Sequence, residues 1–439
     1  MKLLLTFTLS IFISFGLYAQ DWTLIGEFES GVGDMLGDEE SNRLYVVGAF
    51  DSINGKYIRG IAAWDGKQWN ELDHGINYDT LPRSWGGACH HISRYKNKLV
   101  IGGDFHSVGF FQKSRNAALW NPDSSKWETL DWNTDKTVSF VYDTGDTTYV
   151  LGTYDSIAGK HSPGATYLYK GQWTNMSPPN GVEIPKVLTP YQNSLYLGGN
   201  MNGSIPGIND LARRDGAKFH AVGHGVSGAF GWVNDLIVYK NELYVGGSFF
   251  KADGHTGENI MKWDGTQFHS VGDANNVVHA LAENNGILYV GGYHDSLNGI
   301  QANKIAWFNG KIWSGLGNET HTNILKMAFL NDTLYVYRQQ SINTITHNQV
   351  LRYNKKLPTG LTNTTSYNKE IMLFPNPTTG FVEIQGLKNN DTVKIYDLSG
   401  TLVYAGAAKK INVSHLPNGL YAVSIKSSDN MVHLKFLKQ

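Results

Sequence analysis

The chain has 439 residues, of which 37 are Lys or Arg and 38 are Asp or Glu, and it contains a single cysteine, Cys89. This length allows two or three domains, and the balanced charge gives no electrostatic footprint for nucleic acid or an anionic membrane. One cysteine excludes an internal disulfide. Cys89 lies in an apolar strand pattern, so we expect an inert buried thiol there rather than a reactive one. Abundant Gly, Trp and Tyr with only 17% charged residues favour strands and tight turns over helices.

Residues 1–19 have the pattern of a cleavable signal peptide. Lys2 precedes an apolar run that ends at Leu17, and Ala19 provides a small residue at the predicted cleavage site. The run is short and interrupted by hydroxyl residues, which makes an uncleaved membrane helix the weaker alternative. No later stretch is long and apolar enough to span a bilayer. We therefore predict an exported protein without a transmembrane segment.

A motif of the form Leu-Tyr-Val-x-Gly recurs along residues 20–356. Its seven copies begin at Leu44, Leu99, Thr148, Leu195, Leu243, Leu288 and Leu334. Successive copies are therefore 45 to 55 residues apart, which is the size of one four-stranded propeller blade.

Each copy has similar neighbours in the sequence. A short apolar segment precedes the motif and predicts the innermost strand of a blade. After the motif come a Gly-rich loop, a strand ending in an aromatic residue such as Trp64, an Asp-Gly or Asn-Gly turn, and a strand opening with another aromatic such as Trp69. Because one sheet cannot bury both faces alone, we expect these aromatic side chains to fill the space between neighbouring blades.

The two ends of the repeat region are complementary. The seventh unit stops at residues 350–354 without a fourth strand, whereas residues 21–26 have the pattern of an isolated fourth strand. Pairing them would remove two exposed edges. We predict a seven-bladed β-propeller whose N-terminal strand closes the last blade. The region resembles the propellers of secreted bacterial proteins, a likeness that implies architecture but not activity.

The composition changes after the repeats. Residues 357–370 are polar and predict a linker, and residues 371–439 alternate as expected for a small β-sandwich. This tail resembles the type A sorting domain of the type IX secretion system. The residues that carry the resemblance are Pro375, Asn376, Pro377, Gly380, Gly400, Pro417, Gly419, Tyr421 and Lys435.

The resemblance implies a route out of the cell. The chain would cross the periplasm, be recognised by the type IX translocon and lose its tail to the C-terminal signal peptidase of that system. It would then be secreted or held on the outer-membrane surface. A generic carbohydrate-binding sandwich is the alternative, but the tail has few aromatic residues for a sugar platform.

The sequence contains no catalytic, phosphate-binding or zinc motif, so it predicts neither a cofactor nor a metal. Polar residues nevertheless recur in two adjacent columns of the predicted innermost strands. The first column contains Gly33, His90, Ser139, Lys186, Asn234, His279 and Leu325. The second contains Asp34, His91, Phe140, Val187, Asp235, Ala280 and Lys326.

Such columns would line the central channel of a propeller and predict a polar funnel that binds a ligand. The candidate residues are Asp34, Trp85, His91, Trp232, Asp235, His279 and Lys326. A channel of internally satisfied polar groups would look the same in the sequence.

The patterns together favour a non-enzymatic, exported binding module for a glycan, a peptide or a protein. Two alternatives stay open. A polysaccharide-cleaving glycosidase or lyase would need converging carboxylates, for which Asp34 and Asp235 are the nearest candidates. A structural adhesion protein would instead expose apolar patches on its blade edges.

Overall fold

The computed structural model describes most of the chain, as residues 21–77, 88–110, 112–176, 185–201, 208–216, 218–227, 231–252, 255–317, 322–358, 372–374, 378–385, 387, 391–397, 401–426 and 431–439. The predicted signal peptide lies outside these residues. All regular elements within them are β-strands, which confirms the all-β class. No described segment forms a helix long and apolar enough to cross a membrane. The chain divides into two compact units, Met1–Pro358 and Thr359–Gln439.

The first unit consists of small antiparallel sheets whose main strands follow one another along the chain. Sheet 1 has the order β2-β3-β6-β7 and sheet 2 the order β14-β13-β10-β9, while short strands pair in the loops. The strands are β1 Trp22–Phe28, β2 Val32–Asp38, β3 Arg43–Gly48, β4 Ser52–Ile53, β5 Lys56–Tyr57, β6 Ile61–Trp64, β7 Trp69–Glu71, β8 Ile76–Asn77, β9 Cys89–Tyr95, β10 Lys98–Gly103, β11 Ser107–Val108, β12 Gln112–Lys113, β13 Ala117–Asn121 and β14 Lys126–Glu128.

Three further sheets repeat this arrangement. Sheet 3 has the order β15-β16-β19-β20, sheet 4 the order β21-β22-β23-β24 and sheet 5 the order β26-β27-β30-β31. Their strands and the short loop strands are β15 Val138–Asp143, β16 Thr147–Gly152, β17 Ser156–Ile157, β18 Lys160–His161, β19 Ala165–Tyr169, β20 Gln172–Asn175, β21 Val187–Tyr191, β22 Ser194–Gly198, β23 Leu211–Asp215, β24 Lys218–Ala221, β25 Val226–Ser227, β26 Trp232–Tyr239, β27 Glu242–Ser248, β28 Lys251–Ala252, β29 His255–Thr256, β30 Ile260–Trp263 and β31 Phe268–Ser270.

The last sheet of the first unit contains strands from both the N-terminal and the C-terminal end of that unit. Sheet 6 has the order β32-β33-β36-β37, and sheet 7 has six strands in the order β38-β39-β40-β1-β4-β5. Strand β1 thus lies beside β40, with Trp22 opposite Tyr353 and Phe28 opposite Asn348. The strands are β32 Val278–Asn284, β33 Ile287–Gly292, β34 Ser296–Leu297, β35 Ile300–Gln301, β36 Ile305–Phe308, β37 Trp313–Gly315, β38 Asn323–Leu330, β39 Thr333–Ile342 and β40 Ile345–Tyr353.

Consecutive sheets share their hydrophobic cores. Tyr45 and Val47 of sheet 1 belong to one cluster with Leu99 and Trp120 of sheet 2, and the same holds for each following pair. Sheet 7 in turn shares a cluster with sheet 1. The sheets therefore follow one another in a closed order, and the repeated motif supplies the buried second strand of each sheet.

Three fourth-strand tryptophans also form hydrogen bonds to the preceding sheet or the segment that follows it. The indole N–H of Trp69 donates to the carbonyl oxygen of Ile25 at 2.8 Å, and that of Trp313 donates to Val271 at 2.6 Å. Trp127 donates to Leu72 at 3.2 Å. In the part of sheet 3 that is described, the indole of Trp173 has no such bond, and it packs against Trp132 instead.

This difference gives a testable prediction. Trp69→Phe should lower the free energy of unfolding by about 1 kcal/mol, because the Ile25 carbonyl loses the shorter of its two side-chain donors and keeps only Asn54 Nδ2 at 3.3 Å. Trp173→Phe is the matched control and should cost less, since it removes no hydrogen bond. Urea midpoints of the two variants measure the difference, and equal losses would mean that ring size alone matters.

The second unit has two sheets, with the orders β41-β42-β45 and β44-β43-β46-β47. One hydrophobic cluster contains buried residues from both, including Val382, Val393 and Tyr421. Alternate residues of β43 and β46 are buried, as the period-2 pattern predicted. The strands are β41 Met372–Phe374, β42 Phe381–Gln385, β43 Thr392–Tyr396, β44 Leu402–Gly406, β45 Lys410–Asn412, β46 Gly419–Lys426 and β47 Met431–Lys438.

Candidate functional site

The two polar columns coincide with an irregularity that recurs in the first strands of the sheets. In sheets 1, 2, 3, 5, 6 and 7 the register between the first and second strands shifts at this point. The unpaired residue at each bulge belongs to the first column, and the residue after it belongs to the second. A bulge twists its strand and redirects side chains. Because the bulge recurs at the same position, the equivalent side chains of different sheets point in the same direction relative to their own sheet.

The Asp34 carboxylate joins sheets 1 and 2. Its Oδ1 accepts a hydrogen bond from the N–H of Met35 at 3.0 Å, and its Oδ2 accepts one from the N–H of Ile92 at 3.3 Å. His91 Nδ1 lies 2.8 Å from Oδ2, and Lys326 Nζ lies 3.8 Å from Oδ1. Burial opposes ionisation, but Lys326, His91 and the Ile92 N–H together hold the pKa of Asp34 below its ordinary value.

Asp235 has the equivalent place between sheets 5 and 6. Its carboxylate accepts hydrogen bonds from Leu236 N–H at 2.9 Å and from Leu281 N–H at 2.8 Å. Among the described residues it has no histidine partner, and burial raises its pKa to about 6 despite the attraction of Lys326. The repulsion of Asp34 acts in the same direction. The two carboxylates therefore repel each other electrostatically. Each of them nevertheless accepts a hydrogen bond from the backbone of the next sheet.

Other polar side chains of the first strands bind the next sheet in the same way. Asn234 Nδ2 donates to the carbonyl of Val278 at 2.9 Å, and Thr189 Oγ1 donates to that of Leu236 at 3.1 Å. His91 Nε2 lies 2.8 Å from the Val141 carbonyl. Since its Nδ1 lies beside the Asp34 carboxylate, the His91 ring contacts an acceptor of each neighbouring sheet. These contacts favour a structural role for the second column.

A more exposed group lies at the start of the first strands of sheets 4 to 6. We name it the channel-mouth patch after the predicted channel; it consists of Lys186, Trp232 and His279, together with Tyr293 from the segment that follows β33 of sheet 6. Lys186 Nζ lies 5.1 Å from the centre of the Trp232 ring, which is 40% exposed. The rings of His279 and Tyr293 are 4.5 Å apart. Burial, helped by Lys326 and Lys186, lowers the pKa of His279 to about 4, so the ring is neutral at pH 7.

The structure thus separates the predicted funnel residues into two groups. One group consists of charged and polar residues that interact with one another, namely Asp34, His91, Asp235 and Lys326. The other group, Trp232 and His279, belongs to the channel-mouth patch. Trp85 lies outside the described residues. The prediction omitted Lys186, although it stands in the first column. It also omitted Tyr293, which follows a Gly-Gly pair and could have been found by comparing the residue after that pair among repeats.

Metal ligation has no candidate in the described part of the chain. No three His, Cys, Asp or Glu residues there are placed to hold an ion. Cys89 is buried in the core that sheets 1 and 2 share.

The tail motif can be followed in part. Pro375, Asn376, Pro377 and Gly400 lie outside the described residues, as does the side chain of Lys435. Gly380 immediately precedes β42, Pro417 lies in the turn-containing segment before β46, and Gly419 is the first residue of β46. The Tyr421 hydroxyl donates to the Pro417 carbonyl at 2.8 Å, and its ring stacks on Phe436 at 5.3 Å. The tyrosine thus anchors this turn to the core.

Thr378 and Lys438, which lie within the two end segments of the sequence motif, position the C-terminus. The N–H of Thr378 donates to the Leu437 carbonyl, and the N–H of Gln439 donates to the Thr378 carbonyl, both at 2.9 Å. Lys438 is buried, and its Nζ donates to Asn418 Oδ1 at 3.3 Å. The last residues are therefore part of the folded unit.

Comparison with known proteins identifies the tail. Residues 372–439 match the family model described as a secretion system C-terminal sorting domain. The predicted sorting domain is thus confirmed, and the chain is secreted by the type IX system to the cell surface or the extracellular space. No curated protein matches the chain.

Three solved structures are similar to the chain at low identity. PorZ, described as a bacterial surface component of the type-IX secretion system of Porphyromonas gingivalis, has 12% identity and a TM-score of 0.45; the match covers 93% of this chain but only 59% of PorZ. The computationally designed protein Ika8 has 12% identity, coverages of 95% and 99%, and a TM-score of 0.41. The β-propeller domain of the Trilobed protease from Pyrococcus furiosus has 8% identity, coverages of 75% and 98%, and a TM-score of 0.43.

Proposed function

We propose that the chain is an exported β-propeller binding protein for an extracellular glycan, peptide or protein. In this proposal residues 1–19 are a signal peptide, and residues 20–356 form seven blades closed by the N-terminal strand. Residues 357–370 link them to a small β-sandwich, residues 371–439, which the translocon and its C-terminal signal peptidase recognise. The closed order of the sheets and the pairing of β1 with β40 support the propeller.

The observation that carries the binding role is the exposed Trp232 ring beside Lys186. The carboxylate oxygens of Asp34 and Asp235 already accept hydrogen bonds from backbone N–H groups. We therefore place the ligand contact at the channel-mouth patch and not at these carboxylates. A tryptophan combines large apolar area with an N–H donor and is enriched among residues that dominate binding energy. The cation of Lys186 and the neutral ring of His279 add polar groups at its edge, an arrangement typical of ligand sites.

The test compares variants of the mature chain on a panel of surface glycans and cell-surface proteins. Trp232→Ala should weaken binding of any recognised member by about tenfold or more, the effect of losing roughly 1.4 kcal/mol. Phe250→Ala is the matched control, because Phe250 is an exposed aromatic side chain of the same repeat, at 55%, outside the patch. Equal binding by the two variants would contradict the proposal.

The same panel separates binding from catalysis. A polysaccharide that is bound but never shortened supports the binding module. Shortened products that disappear in Asp235→Asn would instead support the enzyme alternative, in which the two aspartates have different pKa values, as acid and base pairs do.

A further inference from the structure

The interface between sheets 3 and 4 departs from its equivalents at one position. In four other sheets the residue that lies opposite the leucine of the repeated motif on the third strand is a large aromatic one, namely Trp64, Trp120, Trp263 or Phe308. In sheet 4 the residue opposite Leu195 is Arg214. The tryptophans belong to cores shared with the preceding sheet, and Arg214 likewise faces the preceding sheet. An arginine thus stands where the fold normally has an aromatic side chain.

Aromatic rings surround the Arg214 guanidinium. Its Cζ lies 5.3 Å from the centre of the Tyr167 ring and 5.9 Å from that of the Phe219 ring. In sheet 3 Tyr167 lies opposite Tyr149, with 6.1 Å between the ring centres, and Tyr149 lies opposite Tyr142. We name these five residues the Arg214 cluster.

The Arg214 cluster is more open than its equivalents. The tyrosines that correspond to Tyr149 in four other sheets are at most 2% exposed, namely Tyr45, Tyr196, Tyr244 and Tyr289. All four rings of the Arg214 cluster are instead partly exposed. The interface between sheets 3 and 4 therefore presents aromatic surface at a level where these other sheets bury it.

The cation of the cluster has no carboxylate partner. No Asp or Glu of the described residues acts on its charge; burial lowers the pKa of Arg214, and only Tyr167 and Tyr149 oppose that shift. The next residue, Asp215, pairs with Arg213 at 3.0 Å instead. Arg214 is only 9% exposed, and an arginine keeps its proton in proteins. Since a buried charge is costly unless it is paired, this guanidinium has unused capacity for an anion.

The terminal nitrogens are the atoms available to that anion. Of the three guanidinium nitrogens only Nε is both fully buried and unpaired. In sheet 5 the equivalent Trp263 has a single donor, and it is used within the protein, by the Tyr196 hydroxyl at 3.1 Å. An arginine has further donors, arranged as a planar fork that fits a carboxylate or a sulfate group.

The surroundings favour a sugar ring that carries one anionic group. The aromatic rings offer apolar faces for a pyranose, and the phenol hydroxyls can donate to and accept from its hydroxyls. An extended peptide would need a free main-chain edge. The strands that carry Tyr149, Tyr167 and Arg214 are β16, β19 and β23, and all three are interior strands of their sheets.

We propose that the Arg214 cluster is a second ligand site, which binds an acidic saccharide through a bidentate contact between the Arg214 guanidinium and the carboxylate of a uronic acid or a sulfate ester. The pyranose ring packs on the exposed aromatic surface beside this contact. The site shares no residue with the channel-mouth patch, so either can fail without the other.

The experiment measures affinities of the mature chain by calorimetry. The probes are glucuronate, galacturonate, glucose 6-sulfate, neutral glucose and galactose, and an acidic hexapeptide. An acidic sugar should bind at least tenfold more tightly than its neutral parent, and its affinity should fall as the NaCl concentration rises. The uronates and the sulfate are separate arms, so the tighter one identifies the anionic group.

Arg214→Trp is the sharpest variant, because it restores the residue that three other sheets have at this position. It should weaken the acidic sugar at least tenfold without lowering the melting temperature. Arg214→Lys keeps the charge but loses the fork, and it should weaken binding severalfold even if Arg214→Trp is unstable. Arg213→Gln is the matched control: this side chain points to the opposite face of the strand and pairs with Asp215, so the affinity should not change.

Four results would overturn the proposal. No acidic sugar binds up to about 10 mM; the two Arg214 variants bind as the wild type does; Trp232→Ala abolishes binding while Arg214→Trp does not; or the hexapeptide binds in place of the sugars. The third result would move the acidic sugar to the channel-mouth patch.

Discussion

Deletion of residues 21–28 is expected to remove the cooperative unfolding transition of the first unit. Strand β1 forms six register pairs with β40, so its loss leaves one edge of sheet 7 open. It also removes buried Trp22, Ile25 and Phe28, worth about 1.5–3 kcal/mol each. That sum is comparable with the whole net stability of a domain, about 5–15 kcal/mol.

The loss reaches the neighbouring sheet as well. The Ile25 carbonyl accepts the indole N–H of Trp69 at 2.8 Å, and the Phe28 ring packs edge-on against Trp69 and Phe50. The melting curve of the truncated chain, followed by tryptophan fluorescence, measures the effect. A sequence-based boundary at residue 26 would have left Phe28 in place, whereas the structure shows that the strand continues to this residue.

Two controls make the test specific. Leu24→Ala changes a 47% exposed residue of the same strand and should shift the midpoint only slightly. A synthetic peptide of residues 20–30 added to the truncated chain should restore part of the transition, since it can pair with β40. A truncated chain that melts as the intact protein does would show that closure by β1 is dispensable.

Much of the architecture follows from short-range patterns. The Leu-Tyr-Val-Gly copies mark a buried second strand because most residues of that strand are buried between neighbouring sheets. Asp-Gly and Asn-Gly turns mark the following hairpins, as the left-handed Gly66 and Gly265 show. These signals repeat at one period, so a weak copy such as the one at Leu334 is recognised from its spacing.

The site was harder to predict because its partners are distant in the sequence. Asp34 and Asp235 stood out as polar residues in apolar strands, but their acceptor atoms are taken by N–H groups 58 and 46 residues away. The neighbouring residues in the sequence do not distinguish a carboxylate that accepts such a hydrogen bond from one that is free.

His294 shows how one repeat can depart from the others at a cost in stability. It is fully buried in the loop after β33, where other repeats have Phe50, Phe105 and Phe249. Within the described residues neither of its ring nitrogens has a hydrogen-bond partner. Burial lowers its pKa to about 4, Lys304 lowers it further, and Asp295 opposes the shift.

His294→Phe is therefore expected to remove part of the acid sensitivity of the first unit. The unfolded ring takes up a proton below about pH 6.5, whereas the folded ring does so only near its pKa of about 4. The contribution of the neutral His294 ring to the free energy of unfolding is thus fully present above pH 6.5, and it is lost as the pH falls towards 4. Between pH 7.5 and 4.5 the wild type should lose about 2–3 kcal/mol through this residue.

Urea midpoints at these two pH values measure the effect. The variant should be at least as stable at pH 7.5, because Phe fills the place without unpaired nitrogens, and should lose less at pH 4.5. His161→Gln is the control, since His161 is exposed in the β17–β18 hairpin and should leave the pH dependence unchanged. If His294→Phe kept the wild-type loss, the buried ring would have to be protonated or partnered in the folded protein.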